Sequence, residues 1–527
     1  MEQYDVIVIG GGHNGLTIAA YLAKAGVNVC VLEKNSYVGG STSTEEVTLP
    51  GFKHELGGID HAIIQANPMI RNDELGLQSK YGLKYIIPKT SVVNLFPDDT
   101  ALCMYSDLDK TCQSIAQFSE KDADEYRKFY YEAAPLVNLL VGGMFNAPPP
   151  FGALISQLDQ SPIGQDLVRS LMMSAYDIIN QRFEHPKTKL KLLKYMSEPL
   201  VGPEERGTAV YLYTLIPMNH TFPLGLPEGG SGMLPKALAL CIEDNGGTVK
   251  LNSPVAQIKT TGGRASSVVL ESGEEIKARK AIVANVDARL AMLQLLDGGL
   301  SPDLKSKIER IQDSSFSGVL QAIALNEAPK FKAGKDADEA FIVEPLPWLE
   351  DFRRMFDTLR YGELPSSAKA MAPFVVTPTV QDPTRAPEGK HTLYLWNYAP
   401  YWLKDGGPSK WDDVKEDFAD DVLNWLRLYT TNMGPENILA RKVFSPLDFE
   451  RWNPSLVHGC VCGLGAFMFQ FFSYRPIPEL GQYRTPVDGL YLAGHGTHPG
   501  GCIAGGGRAT VQVIMSDLGV DASKVMG

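Results

Sequence analysis

YDVIVIGGGHNGLTIAAYLAKAGVNVCVLEKNSYVGGSTST, residues 4–44, decides the fold. Residues 6–9 are a continuous apolar run, as expected of a strand covered on both faces. Gly10, Gly12 and Gly15 follow in the spacing G-x-G-x-x-G. In a strand–turn–helix unit the first glycine permits a tight turn, the second lets the backbone approach a pyrophosphate, and the third lets helix pack on strand. Residues 16–26 read as that helix, closed by Gly26. Its first N–H groups and the positive end of its dipole face the phosphates. Residues 29–32 read as the next strand, and Glu33 stands 23 residues beyond Gly10. A carboxylate there accepts from ribose hydroxyls and disfavours a 2′-phosphate. A lone G-x-G-x-x-G is weak evidence. Here strand, glycines, helix, strand and acid fall in order, which predicts an α/β dinucleotide-binding unit.

The far end carries a second signal, TPVDGLYLAGHGTHPGGCIAGGGRATVQVIMSDLG. It reads as strand (490–493), turn (494–499) and a helix from Ile503 onward, rich in small residues. Only 27 residues follow Gly500, too few for a second nucleotide-binding βαβ unit. The segment is expected to close the first domain.

Composition narrows the rest. The chain has 527 residues, 44% hydrophobic and 21% charged, with a net charge of −12. Two or three structural units fit that length. An acidic chain without a basic block argues against nucleic acid. The seven cysteines (30, 103, 112, 241, 460, 462, 502) form no C-x-x-C pair, which fits a reducing cytoplasm and leaves no redox disulfide. No metal motif, P-loop or G-x-S-x-G is present. The first strand begins at Tyr4, so no targeting segment is expected ahead of it. No apolar run is long enough to span a membrane. The stretch 136–155, broken by Gly142-Gly143 and three prolines, reads as a buried segment with a loop. Its second reading is a greasy channel wall or an edge in peripheral contact with a membrane.

Beyond Glu33, the pair Gly39-Gly40 resembles the extended fingerprint of FAD enzymes of the glutathione-reductase class. The segments DVIVIGGGHNGLTIAAYLAKAG, LEKNSYVGG, LPEGGSGMLPKALALCIEDNGGTV and GLYLAGHGTHPGGCIAG resemble the phytoene desaturase-like flavoproteins, in the branch called pyridine nucleotide-disulfide oxidoreductase domain-containing proteins. These motifs span the chain. The resemblance implies non-covalent FAD and removal, or less often addition, of hydrogen across a C–C bond. It implies an α/β fold: a discontinuous glutathione-reductase-type (Rossmann-like) FAD-binding domain, expected at 1–86, 221–295 and 478–527. A mixed α+β substrate domain is expected at 87–220 and 296–477. By position, Gly10, Gly12, Gly15 and Glu33 hold the ADP half and Val255 meets adenine. Lys34, Gly39, Gly40, Ser41 and Thr42 join the cofactor set. Gly494 and the turn at 499–501 form the flavin-side loop. Amides at Gly501, Cys502 and Ile503 would face the pyrimidine ring, stabilising the charge of reduced flavin. The chain departs from the pattern at Ser41-Thr42, where amine oxidases carry arginine, at His495 and at Cys502.

Dehydrogenation beside a carbonyl needs a base for the α-proton and a stabiliser for the oxyanion; a polyene needs neither as strongly. His495 and His498 in the last motif, with Tyr398, are the candidate catalytic groups. His54 and His61 read as surface or structural residues, and His458, in a glycine-rich turn, as structural. Arg475 either meets a substrate carboxylate or ties a turn. The substrate is expected to be a small alicyclic ketone or acid, or an isoprenoid lipid. The electron acceptor stays open among oxygen, a quinone and an electron-transfer protein. The competing readings are an FAD amine oxidase and a non-catalytic prenyl-binding module of the GDP-dissociation-inhibitor type.

Overall fold

The apolar run at the start forms strand β1 (Gln3–Ile9), the glycine turn feeds helix α1 (His13–Lys24), and strand β2 (Val29–Leu32) returns parallel to β1 with Val6 opposite Val29 and Ile9 opposite Leu32. The computed structural model describes residues 2–501 and 505–526, so Cys502 and Ile503 of the expected cofactor set lie outside the described residues. Gly26, with φ +81°, turns the chain out of α1.

Seven strands make the first sheet. Its order is 255–261, 264–270, Glu275–Ala284, β1, β2 and 248–250, with Leu490–Leu492 pairing beside the end of Glu275–Ala284. Alternate side chains go to opposite faces of a strand. Val6, Val8, Val29 and Val31 pack under α1, Met233–Asp244 and Gly507–Leu518; Ile7, Ile9, Cys30 and Leu32 pack on the other side. The last helix begins at Gly507, not near Ile503 as expected. Gly505 holds φ +75° just before it, and the Gly507 N–H donates to Asn14 Oδ1 at 3.0 Å.

The second sheet is also seven-stranded: Ile438–Phe444, Ser317–Leu325, His391–Ala399, Phe374–Val376, Ile342–Pro345, Val92–Leu95 and Ala101–Met104, in that spatial order. Leu393 and Leu395 face the helix Trp411–Arg427. Trp396 and Tyr398 face a layer of helices drawn from residues 108–221. The stretch 136–155 belongs to that layer. Helices Glu120–Met144 and Phe151–Leu158 carry most of it, with Leu136, Val137, Val141 and Phe145 buried and Leu139 41% exposed. Among the described residues no helix is long and apolar enough to cross a membrane.

One buried cation ties the two halves. Arg385 is fully buried; its guanidinium donates to Glu55 Oε1 (2.6 Å), Asp382 Oδ2 (2.9 Å) and the Pro227 carbonyl (2.7 Å). Glu55 also accepts from the Ser231 N–H at 2.9 Å, so one carboxylate meets three segments. Breaking a buried pair leaves an uncompensated charge, at about 3–5 kcal/mol. Arg385→Ala is therefore expected to lower the urea unfolding midpoint by that amount of stability. Lys335→Ala, which removes an exposed pair with Glu339, should leave the midpoint within about 0.5 kcal/mol of the parent.

Candidate active site

A cavity of about 690 Å³ runs from the carboxyl end of the first sheet to the face of the second. Its near end is built by the glycine turn. Gly10 holds φ +96°, and a methyl added there would lie 2.8 Å from the Asn285 carbonyl oxygen. A methyl on Gly15 would lie 2.4 Å from the Gly10 carbonyl and 2.6 Å from Asn285 Nδ2. Asn285, just past Glu275–Ala284, donates from Nδ2 to the Gly10 carbonyl at 3.0 Å. This contact leaves no space for side chains in the turn.

Gly12 caps α1 without a side chain, and the first turn of the helix carries no acid. Its leading N–H groups therefore remain available to an anion. Glu33 is buried and held on both oxygens: Oε2 accepts from the Gly11 N–H at 2.7 Å and Oε1 from the Asn35 N–H at 2.9 Å. Lys34, Ser253, Pro254, Val255 and Ala256 line the cavity around it. Lys34 donates to the Trp452 carbonyl at 3.1 Å, and partial burial lowers its pKa. These residues fit the adenosine half of a dinucleotide, with a carboxylate at the ribose position and open amides at the phosphate position.

Gly39, Gly40, Ser41 and Thr42 of the second glycine turn also line the cavity, as do Gly494 and His495. The Gly39 N–H donates to the Gly11 carbonyl at 2.8 Å, joining the two glycine turns. His13 lies between them, its Nδ1 2.9 Å from Thr42 Oγ1. Burial drops its pKa to about 4, so it is neutral.

The far end is an aromatic wall with acids set into it. Phe374, Tyr394 and Trp396 come from the second sheet; Asp60 and Glu198 come from separate parts of the chain. Gly318 gives Trp396 its room, since a methyl there would fall 2.1 Å from the indole.

The candidate catalytic groups separate. His495 lines the cavity, yet its Nε2–H donates to the Ser455 carbonyl at 3.0 Å, and burial lowers its pKa. His498 is not among the lining residues. Its Nε2–H donates to the Gly143 carbonyl at 2.8 Å, and burial takes its pKa to about 4. Tyr398 sits behind the wall, its hydroxyl 2.8 Å from Ser197 Oγ and 3.3 Å from Glu198 Oε1. Gly501 is also not among the lining residues, and a methyl added there would fall 2.1 Å from the Cys462 carbonyl oxygen. Arg475 is buried and ties a turn, donating to the carbonyls of Leu464, Gly465, Gln470 and His495. His54 and His61 are both buried rather than on the surface. Sequence reasoning passed over Asp60, Glu198, His13 and Asn285. Asp60 left a faint signal, as the one acid in LGGIDHAIIQ.

A glycine-turn nucleotide trough continuous with an apolar chamber defines a dinucleotide-dependent oxidoreductase of Rossmann-like fold. Residues 8–67 match the NAD(P)-binding Rossmann-like domain. Residues 188–514 match the flavin containing amine oxidoreductase family, and the chain belongs to that family. It is 28% identical to pyridine nucleotide-disulfide oxidoreductase domain-containing protein 2 of Mus musculus, over 98% of this chain and 94% of that one. It is 28% identical to a limonene dehydrogenase polypeptide of Castellaniella defragrans, over 99% and 96%. With the phytoene desaturase of Rhodobacter capsulatus identity is 26%, over 96% and 93%. Among solved structures, an oxidoreductase from Methanosarcina mazei superposes with a TM-score of 0.62 at 17% identity, covering 97% of this chain and 99% of that one. Cyclohexylamine oxidase from Brevibacterium oxydans gives 0.58 at 15%, covering 98% of each. The structural likenesses establish the fold; the family establishes a flavin oxidoreductase.

The crowding at the first turn sets an expectation for cofactor content. Gly15→Ala should purify without visible flavin absorption. Gly142→Ala, where an added methyl meets nothing within 4 Å, should keep its colour. Absorbance at the flavin bands relative to protein reads both.

Proposed function

We propose that this enzyme is an FAD-dependent dehydrogenase that introduces a C=C bond into a small alicyclic substrate. The carrying observation is that the nucleotide trough is continuous with a chamber walled by Phe374, Tyr394 and Trp396. The aromatic wall suits an alicyclic body, and the limonene dehydrogenase polypeptide, named for a small cyclic terpene, is a relative over nearly the whole chain.

In this reading Glu33 orients the ribose, the Gly10–Gly12–Gly15 turn and the start of α1 hold the pyrophosphate, and Val255 lies against adenine. Gly39 to Thr42, Gly494 and His495 border the ring system, held non-covalently. Bound FAD supplies the acceptor for the hydride lost by the substrate. The chain's own residues bind, orient and exclude water: Phe374, Trp396 and Leu200 clasp the apolar body, and neutral His13 and His495 bring no fixed charge to the ring. The cofactor domain in this account takes segments 1–86, 221–295 and 478–527. That division is supported by a first sheet whose strands all come from them.

The test is anaerobic. Cyclohexanone is expected to bleach the flavin, while a carotenoid precursor in detergent and a primary amine leave it oxidised. Bleaching by the amine alone overturns the reading in favour of an amine oxidase; bleaching by the polyene alone overturns the small substrate. Acid precipitation should release the flavin into the supernatant; flavin that stays with the pellet refutes non-covalent binding.

A further inference from the structure

Two carboxyl groups face the far chamber from independent parts of the chain. Asp60 ends a strap, residues 57–60, that packs on the second glycine turn: the Gly58 N–H donates to the Ser41 carbonyl at 3.0 Å. The strap is pinned by the Tyr394 hydroxyl, which donates to the Gly57 carbonyl at 3.2 Å. Glu198 follows the helix Pro186–Met196 and enters from the helical layer. Its side chain keeps 32% of its accessible surface deep inside the protein, and the cavity is what it faces.

The two acids differ in what surrounds them. Glu198 Oε1 accepts from Lys194 Nζ and stands 3.3 Å from the Tyr398 hydroxyl. Lys194 is fully buried and also meets Glu344 Oε1 at 2.8 Å, while Glu344 Oε2 accepts from Asn94 Nδ2 at 2.6 Å. Lys191, buried beside them, has its pKa lowered to about 8 by burial. Two lysines thus face two glutamates, and their charges balance. Among the described residues no cation meets Asp60; its own backbone N–H supports its carboxylate. Burial raises the pKa of both acids. Lys194 offers its charge to Glu198, whereas among the described residues no cation is offered to Asp60, so Asp60 holds a proton the more readily of the two.

We propose that Asp60 and Glu198 form an acid–base pair that enolises a neutral cyclic ketone. Asp60, as the carboxylic acid, donates a hydrogen bond to the carbonyl oxygen. Glu198, as the carboxylate, removes a proton from the α-carbon. The α C–H bond breaks, its proton passes to a Glu198 oxygen, and its electron pair becomes the enolate C=C as charge moves to the oxygen under Asp60. Lys194 and Tyr398 are positioning residues that hold Glu198 from behind. The proposal rests on the dehydrogenase reading for what happens after the enolate, but proton transfer can be measured without it.

The experiment follows deuterium entering the α-positions of cyclohexanone by NMR in D₂O, using holoenzyme with its flavin reduced by dithionite so that no dehydrogenation occurs. The wild type should exchange faster than buffer. Glu198→Gln should lower the enzymic rate by about 100-fold or more, the scale of a lost general base. Asp60→Ala should lower it by about 10²–10³-fold, the scale of a lost oxyanion donor, and Asp60→Asn, which keeps a donor, should recover part of it. Exchange equal to buffer, or unchanged in Glu198→Gln, overturns the pair. Should a variant fail to fold, the wild type alone decides: cyclohexanone should exchange at least about 10-fold faster than in buffer, and a rate equal to buffer overturns the assignment. Exchange by this pair without bleaching of oxidised enzyme would refute the dehydrogenase reading and keep the pair. Bleaching that survives Glu198→Gln would do the reverse.

Discussion

Everything in this molecule is arranged around a contact with no room for a side chain. The Asn285 side chain sits under the first glycine turn, bonded to the Gly10 carbonyl, with Gly15 pressed on both. Interiors are packed as densely as organic crystals, so a single methyl at such a place must displace backbone. Gly494 closes on the same asparagine, with an added methyl there falling 3.0 Å from its Oδ1. One amide side chain therefore joins the start, middle and end of the chain at the carboxyl ends of parallel strands. In open α/β sheets that is where ligands bind.

From this point the cavity is a consequence of two sheets meeting. The first sheet supplies a polar trough of glycine amides and one carboxylate. The second supplies a face of alternating residues, with Tyr394 and Trp396 toward the chamber while Leu393 and Leu395 pack against the helix behind. The strap at 57–60 spans the join. It is held by Ser41 on the cofactor side and Tyr394 on the other, and the strand before it is anchored by the buried Glu55–Arg385–Asp382 cluster. The substrate chamber is thus shaped by groups that come from both halves and belong to neither alone.

Burial sorts the titratable groups by whether they have partners. His13 and His498 are driven neutral, with pKa values near 4, because among the described residues nothing anionic compensates their charge. Arg508 stays charged in the core, since Glu74 meets it with two bonds of 2.8 Å. A buried charge persists only when paired. By the same rule the histidines that a motif search picks out become hydrogen-bond struts on carbonyls. The carboxyls of the chamber, Asp60 and Glu198, are marked by no motif.

The sequence by itself determined the nucleotide half. The glycine spacing, the helix after it and Glu33 are all local, because a βαβ turn is built from neighbours in the chain. Their reading passes directly into β1, α1 and β2. The family likeness was legible for a similar reason, its motifs being short and contiguous. Only the tertiary structure decided the substrate end. Asp60 and Glu198 are 138 positions apart, and neither has a spacing relation to Trp396 or Tyr394. His495 and His498 lie three apart in one motif, yet one lines the cavity and the other braces a helix. Which side of a wall a residue falls on depends on how the second sheet packs against the first, and periodicity along the chain carries no information about that packing.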